Sequence, residues 1–179
     1  MEVQGIIDKY YLPNSPIWTI LVEHSKCVRD KALDVAYKHP ELNADADFIA
    51  EAALLHDIGI YLTKAPDLHC NGELPYICHG YLGRQILEME GLPKHALVCE
   101  RHTGTGLSLA EIISNKLPIP HRDMRPVSIE EQIICFADKF YSKSGNLTKE
   151  KSLDKIRKSM LKHSQVQLDR FNLWCEQFL

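Results

Sequence analysis

The sequence predicts an all-α fold, a compact single-domain bundle of helices. Apolar residues recur at steps of three and four over most of the chain, which is the period of one buried helix face. Helix start and stop signals bracket those stretches, and no stretch alternates apolar and polar residues as a half-buried strand does. The 179 residues are enough to bury one core, so a single domain over residues 1–179 is expected.

The first two predicted helices each carry polar residues beside apolar neighbours. The first begins at Ser15-Pro16, where serine caps the helix and proline occupies its first position. Its apolar face includes His24. The second helix is predicted from about Asp45 to Asp57, with Gly59 as its C-terminal stop.

The rest of the chain is predicted as a lid followed by further helices. Residues 60–75 contain two prolines, an asparagine and a glycine, so an ordered loop or lid is expected there. The next two helices are predicted over about 76–90 and from Pro93 to about His102, followed by one short helix in the Gly- and Pro-rich connection before Ser128. A further helix is predicted after the capping box Ser128-x-x-Glu131, and two C-terminal helices are predicted after Gly145 and Asn146. The domain core is expected over about 18–143, with C-terminal helices at about 150–178 packed on it.

The last predicted helix gathers five large apolar side chains: Leu168, Phe171, Leu173, Trp174 and Phe178. Core packing is the simplest interpretation of this group. A homodimer surface is the alternative.

Composition narrows the class of protein. The formal net charge of -3 and pI of about 6.3 show no basic excess, so no nucleic-acid polymer is expected as a partner. No run approaches ~20 apolar residues, and the N-terminus lacks the long apolar run of a signal peptide. The six cysteines form no C-x-x-C pair, which favours buried thiols in a reducing compartment. A cytoplasmic protein without a membrane segment is therefore expected.

Six metal-ligand side chains lie in or beside apolar stretches, each at a different helix or helix end apart from one adjacent pair. They are His24, His56, Asp57, His79, His102 and Asp138. Each alone has an ordinary interpretation, such as a hydrogen-bonded core histidine or a helix-end residue. A buried metal site explains all six together, because buried charges are usually paired or bound to a metal.

The order H…HD…D, formed by His24, His56-Asp57 and Asp138, resembles the HD-domain superfamily of metal-dependent phosphohydrolases. The tetrapeptide HDIG, residues 56–59, is the form found in many members. The resemblance spans roughly Trp18 to Lys143 and implies an all-α bundle of at least five helices, the HD-domain type.

His79 and His102 extend the match to H…HD…H…H…D, which is similar to the two-metal branch of the superfamily. That resemblance implies a first metal held by His24, His56, Asp57 and Asp138. Asp57 would bridge to a second metal completed by His79 and His102. The alternative is one metal, with the latter two histidines contacting substrate phosphate or water.

The resemblance implies a metal-dependent phosphohydrolase that acts on a nucleotide or other small phosphate ester through metal-activated water. Iron or manganese is expected first, with zinc or nickel as alternatives. Asp57, Lys139 and Arg101 are the predicted catalytic residues, the two cations as partners for phosphate charge. Two other functions stay open: a di-iron oxygenase, which shares these ligands in the same superfamily, and a non-catalytic metal-containing binding module.

Overall fold

The computed structural model describes residues 2–179, and helices make up most of it. The helices are α1 (Val3–Tyr10), α2 (Pro16–Lys38), α3 (Ala46–Leu55), α4 (His79–Met89), α5 (Pro93–Arg101), α6 (Leu109–Ser114), α7 (Ile129–Asp138), α8 (Leu153–His163) and α9 (Gln165–Phe178). Three short strands, β1 (Thr63–Ala65), β2 (Cys70–Asn71) and β3 (Leu74–Pro75), form a sheet in the order β2-β1-β3. The predicted all-α fold is confirmed in its main part and corrected by this sheet.

The sheet occupies the segment predicted as an ordered loop or lid. β1 pairs antiparallel with β2 and parallel with β3. Strands of two or three residues are too short to show an alternating pattern, so the sequence gives no strand signal there.

Helix α1 was also not predicted, although its apolar spacing is regular. Val3, Ile7 and Tyr11 recur at steps of four and are all buried. The helix is only eight residues long, and no side chain caps its first turn. Packing rather than a start signal therefore stabilises it.

Side-chain caps begin α2, α3 and α7, three of the five helices that carry the polar residues, whereas α4 and α5 have none. Ser15 Oγ accepts a hydrogen bond from the backbone N–H of Trp18, and Asp45 Oδ1 accepts one from Phe48. Ser128 likewise accepts from the N–H of Glu131, as the capping-box prediction requires. The Glu131 carboxylate does not complete that box, because it accepts from the N–H of Val127 instead.

The main core lies between α2, α3, α7, α8 and α9 and is centred on Phe136. The Phe136 ring lies 5.0 Å from Phe140, 5.6 Å from Phe171 and 5.4 Å from Phe178, measured between centroids. Core packing of the last helix is thus confirmed for Phe171, Trp174 and Phe178. Leu173 is 63% exposed, and the homodimer stays a prediction.

Two further expectations concern the membrane and the thiols. Within residues 2–179, no helix combines the length and apolar character that crossing a membrane requires. All six cysteines are free thiols, and four of them are buried. The interpretation of these thiols as small buried hydrophobic groups holds for those four.

Gly59 lies where a tight turn touches helix α4. A Cβ atom at this position would overlap the carbonyl oxygen of His79 and the backbone nitrogen of Gly83. Its φ of -84° is open to any residue, so the requirement for glycine is the close approach of two backbones. This contact holds the turn after His56-Asp57 against the start of α4.

We expect Gly59→Ala to lower the free energy of unfolding by about 1–3 kcal/mol, because the added methyl group has no space without a backbone shift. Urea unfolding of the purified protein at fixed metal content measures this loss. Gly5→Ala is the matched control, since Gly5 is an exposed position of α1 and a Cβ there meets nothing closer than 3.9 Å. Replacing a helical glycine by alanine should stabilise by about 0.5–1 kcal/mol. Equal effects at both positions would contradict the close-packing explanation.

Candidate metal centre

Five helices bring the six predicted ligand residues to one buried place. His24 comes from the middle of α2, His56 and Asp57 follow the end of α3, and His79 begins α4. His102 follows α5, and Asp138 ends α7. Each residue is at most 7% exposed. The structure therefore brings together all six side chains that the sequence singled out.

The six side chains form two groups that share Asp57. Potential ligand atoms of His24, His56, Asp57 and Asp138 lie within 4.8 Å of one another, and those of Asp57, His79 and His102 do likewise. Asp57 Oδ2 faces the first group, 3.1 Å from His56 Nε2 and 3.4 Å from His24 Nε2. Asp57 Oδ1 faces the second, 3.5 Å from His79 Nε2 and 3.3 Å from His102 Nε2. One carboxylate thus offers one oxygen to each group.

These separations fit ligands around a transition-metal ion. Ligand atoms about 2.1 Å from a common centre are about 3.0 Å apart at right angles and about 3.4 Å apart at the tetrahedral angle. The nitrogen–oxygen distances around Asp57 all fall near this range. His24 Nε2 and Asp138 Oδ1, at 2.9 Å, are also close to it.

Backbone carbonyls set the orientation of three of the histidine rings. His56 Nδ1 donates to the carbonyl of Ala53 at 2.6 Å. His79 and His102 repeat this contact with the carbonyl three residues earlier, each at 2.7 Å. A proton held on Nδ1 leaves the Nε2 lone pair facing the site, which is the form that binds a metal.

The inward-facing atoms lack ordinary partners. His79 Nε2 and His102 Nε2 lie 3.0 Å apart, and with both Nδ1 atoms protonated their lone pairs face each other. His56 Nε2 and both oxygens of Asp57 are buried without a hydrogen bond of normal geometry. Buried lone pairs in contact are unfavourable unless a cation lies between them. The residues therefore fit a metal centre.

The histidines differ strongly in basicity. Burial lowers the pKa of His24 to about 4, and burial together with the neighbouring His102 lowers that of His79 to about 3. Burial also opposes the charged form of His56, but Asp57 and Asp138 outweigh it and raise its pKa to about 9. A metal at this site therefore competes with a proton mainly at His56.

The two carboxylates stay ionised despite burial. Burial opposes their charge, but Lys143 and His56 hold the pKa of Asp57 well below its usual value. The pKa of Asp138 is likewise held well below its usual value, here by Lys139 and Lys143. Both side chains are therefore available as anionic ligands.

Lys143 is a site residue that the sequence reasoning missed. Its Nζ lies 2.8 Å from Asp57 Oδ2 and 3.8 Å from Asp138 Oδ1. It follows α7 in an irregular segment, where no periodic pattern shows which way a side chain points. Its spacing of four from Lys139 was the only available signal.

The two predicted phosphate-binding cations lie in different surroundings. Lys139 is buried, and its Nζ donates to Asp138 Oδ2 at 2.8 Å and to the carbonyl of His102 at 3.0 Å. Arg101 points away from the centre and binds both carboxylate oxygens of Glu131 at 2.9–3.0 Å. These contacts support Lys139 as a residue that positions Asp138. Arg101 forms an ion pair between α5 and α7, and its catalytic role stays a prediction.

A cavity of about 530 Å³ reaches the centre from the outside. Asp138, Lys139 and Lys143 form part of its wall. This volume lies within the range of about 300–1,000 Å³ found for small-molecule sites. A small molecule therefore has access to the edge of the metal centre.

Comparison with known proteins agrees with this geometry. The family model of the HD domain matches residues 21–142, well over half of the chain. The chain belongs to the HD-domain family. This membership and the structure together show a helical fold with His and Asp clusters that are able to hold divalent metal.

Three relatives are similar to this chain over parts of their length. A tRNA (cytidine(56)-2'-O)-methyltransferase of Thermoplasma volcanium is 28% identical over 96% of this chain and 46% of its own. An uncharacterised protein of Methanocaldococcus jannaschii is 35% identical over 66% of this chain and 64% of its own. A tRNA (cytidine(56)-2'-O)-methyltransferase of Picrophilus torridus is 27% identical over 86% of this chain and 40% of its own. The chain thus spans less than two thirds of each relative, and no solved structure matches it.

We expect two transition-metal ions per chain in the wild-type protein and markedly less in Asp57→Ala, because that change removes the shared ligand. His79→Ala should keep about one ion, since the first group retains all four of its ligands. Plasma mass spectrometry on protein purified without chelator measures both. His95→Gln is the control, because His95 is a buried histidine that lies outside both groups. Loss of both ions in His79→Ala would contradict two separable groups.

Proposed function

We propose that this protein is a metal-dependent phosphohydrolase that acts on a nucleotide or another small phosphate ester. One observation carries the proposal: Asp57 offers one oxygen to each of two histidine groups at the edge of a cavity whose wall contains lysines. Membership of the HD-domain family supports the same class of reaction. The cations favour an anionic substrate.

The proposed centre holds one divalent metal on His24, His56, Asp57 and Asp138, and a second on Asp57, His79 and His102. Iron or manganese suits this mixture of imidazole and carboxylate, and zinc or nickel is the alternative. Such ions, when bound, lower the pKa of water and polarise a phosphoryl oxygen.

The side chains of this protein supply orientation and charge. The Nδ1–H groups of His56, His79 and His102 are held by carbonyls, so these rings need no rearrangement to bind metal. Lys139 fixes Asp138 through Oδ2 and leaves Oδ1 directed at His24. Lys143, at the boundary of the centre and the cavity, is placed to neutralise phosphoryl charge.

The names of two relatives bear on the substrate. Proteins named as tRNA methyltransferases contain a region similar to most of this chain, but that region is less than half of each. We therefore assign no methyl transfer to this chain. The names associate these relatives with tRNA, which agrees with a nucleotide as the phosphate ester. The expectation that no nucleic-acid polymer binds stays a prediction, and assays with tRNA test it.

We expect the protein, loaded with Mn²⁺ or Fe²⁺, to release inorganic phosphate or a nucleotide from phosphate esters equally well with and without oxygen. Asp57→Asn should lower kcat/KM by more than about 100-fold, because it removes a ligand rather than an outer contact. Anaerobic and aerobic assays on a panel of nucleotides, with His95→Gln as control, measure this.

Two outcomes of that assay would support the other functions. Turnover that requires oxygen would indicate a di-iron oxygenase with the same ligands. A fully metal-loaded protein that turns over no probe would indicate a binding module.

A further inference from the structure

The cavity that reaches the metal centre has an unusual concentration of positive charge, and we call it the lysine cavity. Four lysines and one histidine form part of its wall: Lys139, Lys143, Lys151, Lys155 and His163. They come from the end of α7, the segment that follows it, and α8. The chain as a whole has 24 acidic against 21 basic residues, so this clustering runs against its net charge of -3.

Acidic residues neutralise the lysine cavity only in part, since Asp138 pairs with Lys139 and Asp57 pairs with Lys143. Asp138, a proposed metal ligand, is the one acidic residue among the described side chains that line it. Glu150, in the segment between the lysines, is instead held by Lys31 at 2.6 Å. The excess of positive charge therefore faces the cavity.

Three of the lysines already have partners in the protein. Lys139 and Lys143 contact the carboxylates of the metal centre. Lys151 donates to the carbonyls of Lys139 and Tyr141, at 3.2 and 2.7 Å, which fixes the segment between α7 and α8. These contacts build the wall of the cavity.

Helix α8 adds polar side chains that, among the described residues, do not contact the metal ligands or the backbone of the cavity wall. Lys155, Ser159 and His163 recur at steps of four, so they share one face of α8 along the lysine cavity. Ile156 and Met160 of the same helix are buried in the main core and also line the cavity. Within residues 2–179, Lys155 and His163 have no ion-pair partner. The helix thus presents a row of available donors some distance from the metal ligands.

We propose that the lysine cavity binds a second phosphate group of the substrate, so that the substrate carries at least two phosphates, one at the metal centre and one along α8. This inference rests on the proposed function for the first phosphate. Lysine ammonium groups and hydroxyl donors are suited to phosphate oxygens, and a cavity of about 530 Å³ is larger than a single phosphate requires.

Calorimetric titration of the metal-loaded protein with adenosine 5′-monophosphate and adenosine 5′-diphosphate tests the proposal. The two probes differ by one phosphate, so the ratio of their dissociation constants isolates that group. We expect the wild-type protein to bind the diphosphate at least about tenfold more tightly. Metal content is measured before and after each titration to exclude extraction by the probe.

Lys155→Ala should reduce that preference by about 3- to 10-fold, and Lys155→Arg should restore most of it. Lys158→Ala is the matched control, because Lys158 is an exposed lysine of the same helix that does not line the cavity. Equal binding of both probes by the wild-type protein would overturn the proposal. An equal loss in Lys155→Ala and Lys158→Ala would also overturn it, since it would indicate only a general effect of net charge.

Failure of the proposed function gives a different result. If the protein prefers the diphosphate through Lys155 but hydrolyses no phosphate ester, the second phosphate site is supported and the proposed hydrolase activity is refuted. If the protein hydrolyses monophosphates but binds the monophosphate and the diphosphate equally well, the proposed hydrolase activity is supported and the second phosphate site is refuted.

Discussion

The structure depends on one buried carboxylate, that of Asp57, placed between two groups of histidines. A fully buried anion is unfavourable unless charge or hydrogen bonds compensate it, and neither of its oxygens has a hydrogen bond of normal geometry. Lys143 supplies part of the compensation. Bound metal would supply the remainder, and the proposed two-metal centre would place one cation on each side of the carboxylate.

The fold places mainly helix ends around that carboxylate, and His24, from the middle of α2, is the exception. His56 and Asp57 follow α3, His79 begins α4, and Asp138 ends α7. The backbone contact at Gly59 fixes the turn after Asp57, and the aromatic core around Phe136 fixes the last turn of α7. Helix ends present side chains into a common space without crossing a core, which explains why so many elements converge there.

The sequence predicted the helices from α2 onward. It also predicted all six inward-facing side chains, because each of those residues is polar in an apolar setting. It did not predict the structure of the short or irregular segments. The strands are too short for a pattern, and the side-chain direction of Lys143 depends on a loop. Arg101 shows another limit, since its neighbour in sequence, His102, faces the centre while its own long side chain reaches Glu131. The number of ions, the metal and the chemistry remain proposals for the same reason: shared ligands serve several reactions.

The sharing of Asp57 is the central claim, and anomalous diffraction from crystals of the metal-loaded protein tests it most directly. Data collected on both sides of the metal absorption edge locate each ion independently of the refined side chains. We expect two peaks about 3.5–4 Å apart with the Asp57 carboxylate between them. A single peak, beside His24 and Asp138 only, would contradict it.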